Sequence, residues 1–397
     1  YYSSTNREVM ARTYEEINEK IRQGKAVVLT AEEVAEMAKT ASAKEIARKV
    51  DVVTTATFGA MCSSGAFLNF GHTTPGIRME TIELNGVRVC GGLAAVDTYV
   101  GATDCNPQNP TYGGGHIIED LVAGKEITLE AWGKGTDDYP RRHVKTLITK
   151  DSINEAYLYN PRNAYQNYNV AVNSTGTTKY TYMGTLLPRL RNAAYSTAGE
   201  LSPLINDPEC RTIGLGTRIF LCGTVGYVAW NGTQFHSTKE VNAHGIPTSN
   251  ARTLAVVGDL KEMSTDFLRG VYYEKYGVSL FVGLGVPIPI LDEDLAQRVS
   301  IRNEQIETVI SDYGDNYHIL GKTNYAALRS GEIEVNGQKV RTAPVTSLAK
   351  AREIADILRS WIQEGRFELS APVRPMPTGT SVKPLEIRGF KDETGIQ

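Results

Sequence analysis

The stretch of residues 50–78 constrains this chain more than any other. It opens on the apolar, β-branched run Val50-Asp-Val-Val53, continues through Thr54-Thr-Ala-Thr57 and breaks at Phe58-Gly59. Such a run reads as a buried strand whose C-terminal end feeds a glycine-rich turn. Strand ends of that kind are where α/β proteins place ligands. Directly after the break stand Cys62, Ser63, Ser64 and Gly65, followed by Asn69, His72 and Arg78. Cys62 therefore sits where free backbone N–H groups can stabilise a thiolate. The other reading of the same residue is a small packed apolar group, since free cysteine is among the most buried residue types.

The rest of the chain mixes helix and strand signals. Val9, Tyr14, Ile17 and Ile21 predict a helix over residues 8–23, stopped by Gly24. A short strand follows at 26–29, and the capping-box pattern Thr30-Ala-Glu-Glu33 predicts a helix from Ala31 to near Lys39. Another helix, residues 43–49, leads into the central strand. Asn85-Gly86 and Asn336-Gly337, each between apolar runs, predict hairpins. Pro107, Pro110 and Gly113-Gly-Gly-His116 predict a loop, then one or two helical turns closed by Gly124. Residues 160–197 are rich in Asn, Tyr, Ser and Thr without a clean period, which predicts long ordered loops with short strands. Pro287 and Pro289 put the run 286–291 near a sheet edge, and residues 347–363 form the clearest helix. The expected class is α/β (mixed α+β). One large strand-rich domain, residues 1–370, carries flanking helices and long glycine-rich loops; residues 371–397 form an extended C-terminal tail.

Charge narrows the function. Forty-two basic against forty-five acidic residues give a net charge of −3, which offers no basis for nucleic acid or a membrane as partner. No apolar run is long enough to cross a bilayer, and Tyr1-Tyr-Ser-Ser-Thr-Asn-Arg-Glu8 lacks the order of a signal peptide; a cytoplasmic location is the expectation. Five irregularly spaced cysteines, Cys62, Cys90, Cys105, Cys210 and Cys222, do not form a disulfide framework and are read as reduced thiols. No paired C-x₂-C ligands are present, so no metal site is read from the sequence, and one assembled from distant residues is left open.

Three groups could do chemistry. Cys62 has glycines, His72 and Arg78 nearby; Cys222, in Ile219-Phe-Leu-Cys-Gly, has the more apolar setting of a core residue. Arg78, Arg141, Arg142, Arg189, Arg191 and Arg218 stand in or near turns and strand ends, where a guanidinium fork suits a carboxylate or phosphate or is a plain solvated charge. His72 and His116 each follow a glycine and are read either as general acids or bases or as partners of loop carbonyls.

The residues Asp51-Val-Val-Thr-Thr-Ala-Thr-Phe-Gly-Ala-Met-Cys-Ser-Ser-Gly-Ala-Phe-Leu-Asn-Phe-Gly-His72 resemble one family closely. It is the homocysteine-biosynthesis family of sulfur-incorporation proteins, the L-aspartate semialdehyde sulfurtransferases of anaerobic prokaryotes. Gly91-Gly-Leu-Ala-Ala-Val-Asp97, Tyr112-Gly-Gly-Gly-His116, Asn160-Pro-Arg-Asn163, Tyr180-Thr-Tyr-Met-Gly184 and Ile213-Gly-Leu-Gly-Thr-Arg-Ile-Phe-Leu221 fit the same pattern. The likeness runs from about Tyr14 to near Gly365. It implies that a cysteine persulfide delivers sulfur to an amino-acid aldehyde, with electrons from a separate ferredoxin-like iron–sulfur partner and no other cofactor. On this sequence it points to Cys62, His72 and Asp138 as catalytic. Ser63, Ser64, Asn69, Arg78, His116, Arg141, Arg142, Tyr182 and Arg218 follow as substrate-binding residues.

Two features depart from the family pattern. Its second cysteine stands in Thr-Asp-Cys-Tyr-Pro-Arg, where this chain has Thr136-Asp-Asp-Tyr-Pro-Arg141. An aspartate cannot carry or resolve a persulfide. Either Cys62 works alone, or Cys222 or Cys105 serves as second thiol, or the chain acts on another substrate or only binds a ligand or partner. Many relatives also end in a pair of regulatory nucleotide-binding modules; this sequence ends in a short tail, so that control is expected to be absent. A homo-oligomer is left open.

Overall fold

The computed structural model describes residues 11–389. The expected helical positions 8–10 and the end of the tail lie outside them. The central run forms the strand Val52–Ala60, buried along nearly its whole length. It pairs residue for residue with the longest strand, Gly277–Pro289, from Val52 opposite Pro289 to Ala60 opposite Phe281. Beyond that pair the sheet continues through Arg218–Leu221, Thr224–Asn231, Leu254–Asp259, Glu155–Asn163, Gly65–Asn69 and Asp97–Gly101. Val28–Thr30 lies parallel to Val52–Ala60 on the other side.

Connectivity forces this sheet to curl. Val52–Ala60 and Gly65–Asn69 are joined by Met61–Ser64 alone, yet stand six places apart in the strand order. Laid flat, six spacings of about 4.8 Å cover roughly 29 Å, whereas a link of that length reaches at most about 18 Å. The sheet therefore closes round on its own apolar face. The helix Leu348–Gln363 covers the central pair with Ala351, Ile354, Ala355, Leu358 and Ile362, and Thr54 Oγ1 donates to the Ala355 carbonyl at 2.9 Å. Truncating a side chain such as Ile354 there to alanine costs about 2–5 kcal/mol.

Among the described residues two larger further sheets, of four and six strands, accompany this body, beside three two-stranded pairs. His143–Ile148, Ile127–Trp132, Thr81–Leu84 and Val87–Val89 form the first, with Asn85-Gly86 turning its hairpin. His318–Asn324, Glu307–Asp312, Val170–Val172, Asn192–Tyr195, Gln338–Pro344 and Glu332–Val335 form the second. The 160–197 region does hold short strands joined by ordered turns: Val170–Val172, Lys179–Thr181, Gly184–Leu186 and Asn192–Tyr195. Mixed helices and strands make the fold α/β.

Two sequence readings change. The glycine run before His116 is no loop: the helix Gly114–Val122 starts inside it. A Cβ on Gly115 would lie 2.1 Å from the Ser279 carbonyl oxygen, so the glycines let this helix press onto the long strand. The edge reading of Pro287 and Pro289 holds on one side only. Both prolines pair with Val52–Ala60, while the opposite neighbour Arg218–Leu221 reaches only Gly285 and Leu284, leaving no ladder that needs their missing N–H.

Candidate functional site

Cys62 stands at the tip of the link between the two strands. Met61 is fully buried, its N–H donates to the Leu280 carbonyl, and the Ser64 N–H donates back to the Met61 carbonyl. This tight turn is anchored in the core at both ends and lifts Cys62 and Ser63 between them; Cys62 is half-buried and Ser63 exposed. The Ala60–Phe281 pair carries the ladder on to this point, and buried Ser279 donates its hydroxyl to Cys62 Sγ at 3.2 Å. Tyr276, at the turn entering the same strand, donates from the other side at 3.6 Å.

The thiol opens into a cleft of about 580 Å³. Arg162, Tyr165, Tyr168, Tyr182, Tyr273 and Tyr276 form most of its wall, with Ser196, Gln234, Asn250 and Thr346 adding polar groups. Thr346 reaches it because Gly59 has no side chain: a Cβ there would lie 2.6 Å from Thr346 Cγ2. The phenols form a connected set, with Tyr168 donating to Tyr182 at 2.9 Å and Tyr182 within 3.0 Å of Tyr313. Burial raises all three well above the ordinary tyrosine value, so they stay protonated donors at neutral pH. Burial also pushes Tyr273 up to about 12, and its buried hydroxyl has no hydrogen-bond partner. Tyr276 is raised by burial and by the adjacent Cys62 sulfur.

Of the residues the sequence singled out, Cys62, Ser63 and Tyr182 line this cleft. Ser64 lies beneath the turn, buried, with an unpartnered Oγ. The others stand elsewhere. The strand Gly65–Asn69 carries the chain roughly 15 Å on, and Asn69 there binds Asp97 and Asn154. His72 is exposed and stacks on Tyr139. Asp138, also exposed, accepts from Thr136 at 2.6 Å, and this bond with nearby Arg78 holds its carboxyl below the usual range. Arg141 donates to the Thr74 and Pro75 carbonyls, and Arg142 is a surface side chain on the same loop. His72, Arg78, Asp138, Arg141 and Arg142 thus form a surface group apart from the cleft wall. His116 caps its own helix, its Nδ1 accepting from the Gly113 N–H at 3.2 Å, and burial lowers its pKa.

Arg218 stacks on Phe367 and donates to the Glu368 carbonyl, a packing role. Cys222 is fully buried and pushed up to about 12 by burial; Cys105 is exposed on the short hairpin Cys105–Asn106 and Asn109–Gly113. Neither lines the cleft, so neither sits as a second thiol to Cys62. Among the described residues no cluster of three His, Cys, Asp or Glu side chains is placed to hold a metal ion, and no helix is long and apolar enough to cross a membrane.

Sequence reasoning missed Arg162. The pairing of Glu155–Asn163 with Leu254–Asp259 shifts between Asn160 and Asn163, because Pro161 cannot donate to the ladder. The bulge re-aims Arg162 into the cleft, where its Cζ lies 5.0 Å over the Tyr165 ring. The motif Asn160-Pro-Arg-Asn163, with its proline inside a strand, was the available signal. A second cleft, of about 560 Å³, is lined by Glu209, His244, Asp294 and Arg298 among others. It holds no cysteine, and Arg298 is already paired to Glu209 at 3.0 Å.

A half-exposed thiol with two hydroxyl donors, set in a polar aromatic cleft, is an arrangement suited to chemistry at a cysteine sulfur. The chain belongs to the family of homocysteine biosynthesis enzymes for sulfur incorporation, which matches residues 26–369. It is 49% identical over 384 residues to the L-aspartate semialdehyde sulfurtransferase of Methanocaldococcus jannaschii, covering 92% of this chain and 73% of that one. It is 46% identical over 382 residues to the L-aspartate semialdehyde sulfurtransferase of Methanosarcina acetivorans, covering 95% and 74%. An uncharacterized protein of Methanothermobacter thermautotrophicus is 29% identical over 332 residues, covering 81% and 73%. No solved structure matches the chain.

Proposed function

We propose that this protein transfers sulfur, held as a persulfide on Cys62, to the aldehyde carbon of aspartate semialdehyde, and that reduction of the adduct gives homocysteine. The observation that carries the reading is the setting of Cys62: an accessible sulfur with the Ser279 hydroxyl at 3.2 Å and the Tyr276 hydroxyl at 3.6 Å. Hydroxyl donors favour the anionic form of sulfur, whether thiolate or persulfide, which is the nucleophilic form.

The outer sulfur attacks the carbonyl carbon, the carbonyl electron pair moves to oxygen, and the oxygen takes a proton. The unpartnered Tyr273 hydroxyl is the donor that the cleft offers for it. An electron pair then cleaves the S–S bond, returning Cys62 as thiolate and leaving an α-hydroxythiolate of the substrate. Loss of water gives the thioaldehyde, and a second electron pair with protons gives the thiol. Both pairs come from a reductant of the ferredoxin-like iron–sulfur class. Cys62 acts without a second thiol in the cleft.

The test is anaerobic loading with a sulfane-sulfur donor such as polysulfide, which transfers zero-valent sulfur to the thiolate without an added oxidant, followed by aspartate semialdehyde and a low-potential reductant, scored for homocysteine. Wild type forms it and Cys62→Ser does not; equal product from both contradicts the assignment of Cys62.

A further inference from the structure

We infer that Arg162 reads a carboxylate on the substrate, and that the cleft selects the carboxylate and not the amino group. The inference rests on the sulfur-transfer reading for the identity of the aldehyde, but its argument is independent. Arg162 is the one charged side chain among the described residues lining the cleft. Among the described residues no carboxylate lies within 4 Å of its guanidinium, and its Nε is buried without a hydrogen-bond partner. A buried guanidinium donor left unpaired is costly, and the bulge at Pro161-Arg162 holds this one in place against Tyr165. The fork that remains free matches a carboxylate in geometry and charge.

The wall that would face an ammonium is different in kind. It offers phenol rings and hydroxyls, amides and threonine oxygens, but no aspartate or glutamate. Apart from the reacting Cys62 sulfur itself, an α-amino group therefore meets only neutral acceptors and ring faces, each worth less than the charged fork. Two analogues of aspartate semialdehyde separate the contributions. Succinate semialdehyde keeps the carboxylate and lacks the amine; 3-aminopropanal keeps the amine and lacks the carboxylate.

The binding test avoids turnover. The rate of Cys62 alkylation by iodoacetamide, followed on the Cys62 peptide, is measured with 2-aminobutyrate, butyrate or propylamine present. In wild type 2-aminobutyrate and butyrate are expected to slow alkylation at least fivefold at saturation, and propylamine to leave it unchanged. Arg162→Gln loses the protection, and Arg162→Lys keeps part of it at higher ligand concentration. Protection by propylamine equal to that by butyrate overturns the inference, as does absence of protection by either carboxylate. If Arg162→Gln does not fold, the three ligands on wild type still decide. In the reaction itself, kcat/KM for succinate semialdehyde is expected within about tenfold of aspartate semialdehyde, and that for 3-aminopropanal lower by at least a hundredfold. A protein that makes no homocysteine yet shows the carboxylate-only protection loses the sulfur-transfer reading and keeps the role of Arg162.

Discussion

Ser279 Oγ donates to Cys62 Sγ at 3.2 Å from a fully buried position on the long strand. The bond ties the chemistry of the turn to the register of the central strand pair, since one residue of slip would turn Ser279 to the other face.

Removing that hydroxyl tests it. A hydrogen bond to a charged group contributes about 1.5–3 kcal/mol, so Ser279→Ala should slow alkylation of Cys62 at neutral pH by about tenfold or more. Ser279→Cys or Ser279→Thr, which keep a donor, should recover part of the loss. An unchanged rate in Ser279→Ala would show that the bond does not stabilise the sulfur anion.

The remaining thiols should behave according to burial. Cys62, Cys90 and Cys105 are accessible and Cys210 and Cys222 buried, so a thiol reagent should titrate three groups in the native protein and five after denaturation. Burial pushes Cys222 up to about 12, and Cys222→Ser should still form homocysteine while losing about 1–3 kcal/mol of stability, because the new hydroxyl is buried. Equilibrium unfolding in urea measures the second part.

Acid should loosen the protein through His116. Its Nδ1 accepts from the Gly113 N–H, and burial holds its pKa below the unfolded value of 6.5. Unfolded chain therefore takes the proton first as pH falls through 6.5, and the stability held above that pH is lost on the way down to the folded pKa. The fall in Tm between pH 7.5 and 5.5 should be larger in wild type than in His116→Gln, with melting curves on both as the check.

Asp138 should be dispensable. It is exposed, bonded to Thr136 within its own turn, and absent from the cleft wall. Asp138→Asn is expected to keep homocysteine formation within about threefold of wild type. A loss beyond tenfold would give that surface group a role in the reaction.

How far the chain could be read in advance depended on whether the deciding contacts were local. Thr30 and Glu33 form their capping box, and the helix starts at Ala31 as its pattern requires. Ser347 caps the helix Leu348–Gln363, and Asn85-Gly86 and Asn336-Gly337 turn their hairpins. These signals involve neighbours in sequence, as does the placing of Cys62 just past a strand end. The central strand ran further than its sequence break suggested, through Phe58-Gly59 to Ala60, because pairing with Gly277–Pro289 overrides the local signal. Apart from Cys62, Ser63 and Tyr182, the cleft wall was not legible: Arg162, Tyr273 and Tyr276 arrive from segments far apart, and the aim of Arg162 depends on a bulge set against another strand. His72 was misplaced for the converse reason. Only ten positions after Cys62 in sequence, it is carried off by the intervening extended strand.

The central claim is that Cys62 itself carries the transferred sulfur. The most direct measurement is a single-turnover mass spectrum of the Cys62 peptide from anaerobically purified protein. The peptide should carry one added sulfur after loading with a sulfane-sulfur donor such as polysulfide, and lose it when aspartate semialdehyde and reductant are added, with homocysteine appearing in equal amount. Homocysteine formed while Cys62 stays an unmodified thiol throughout would contradict the account.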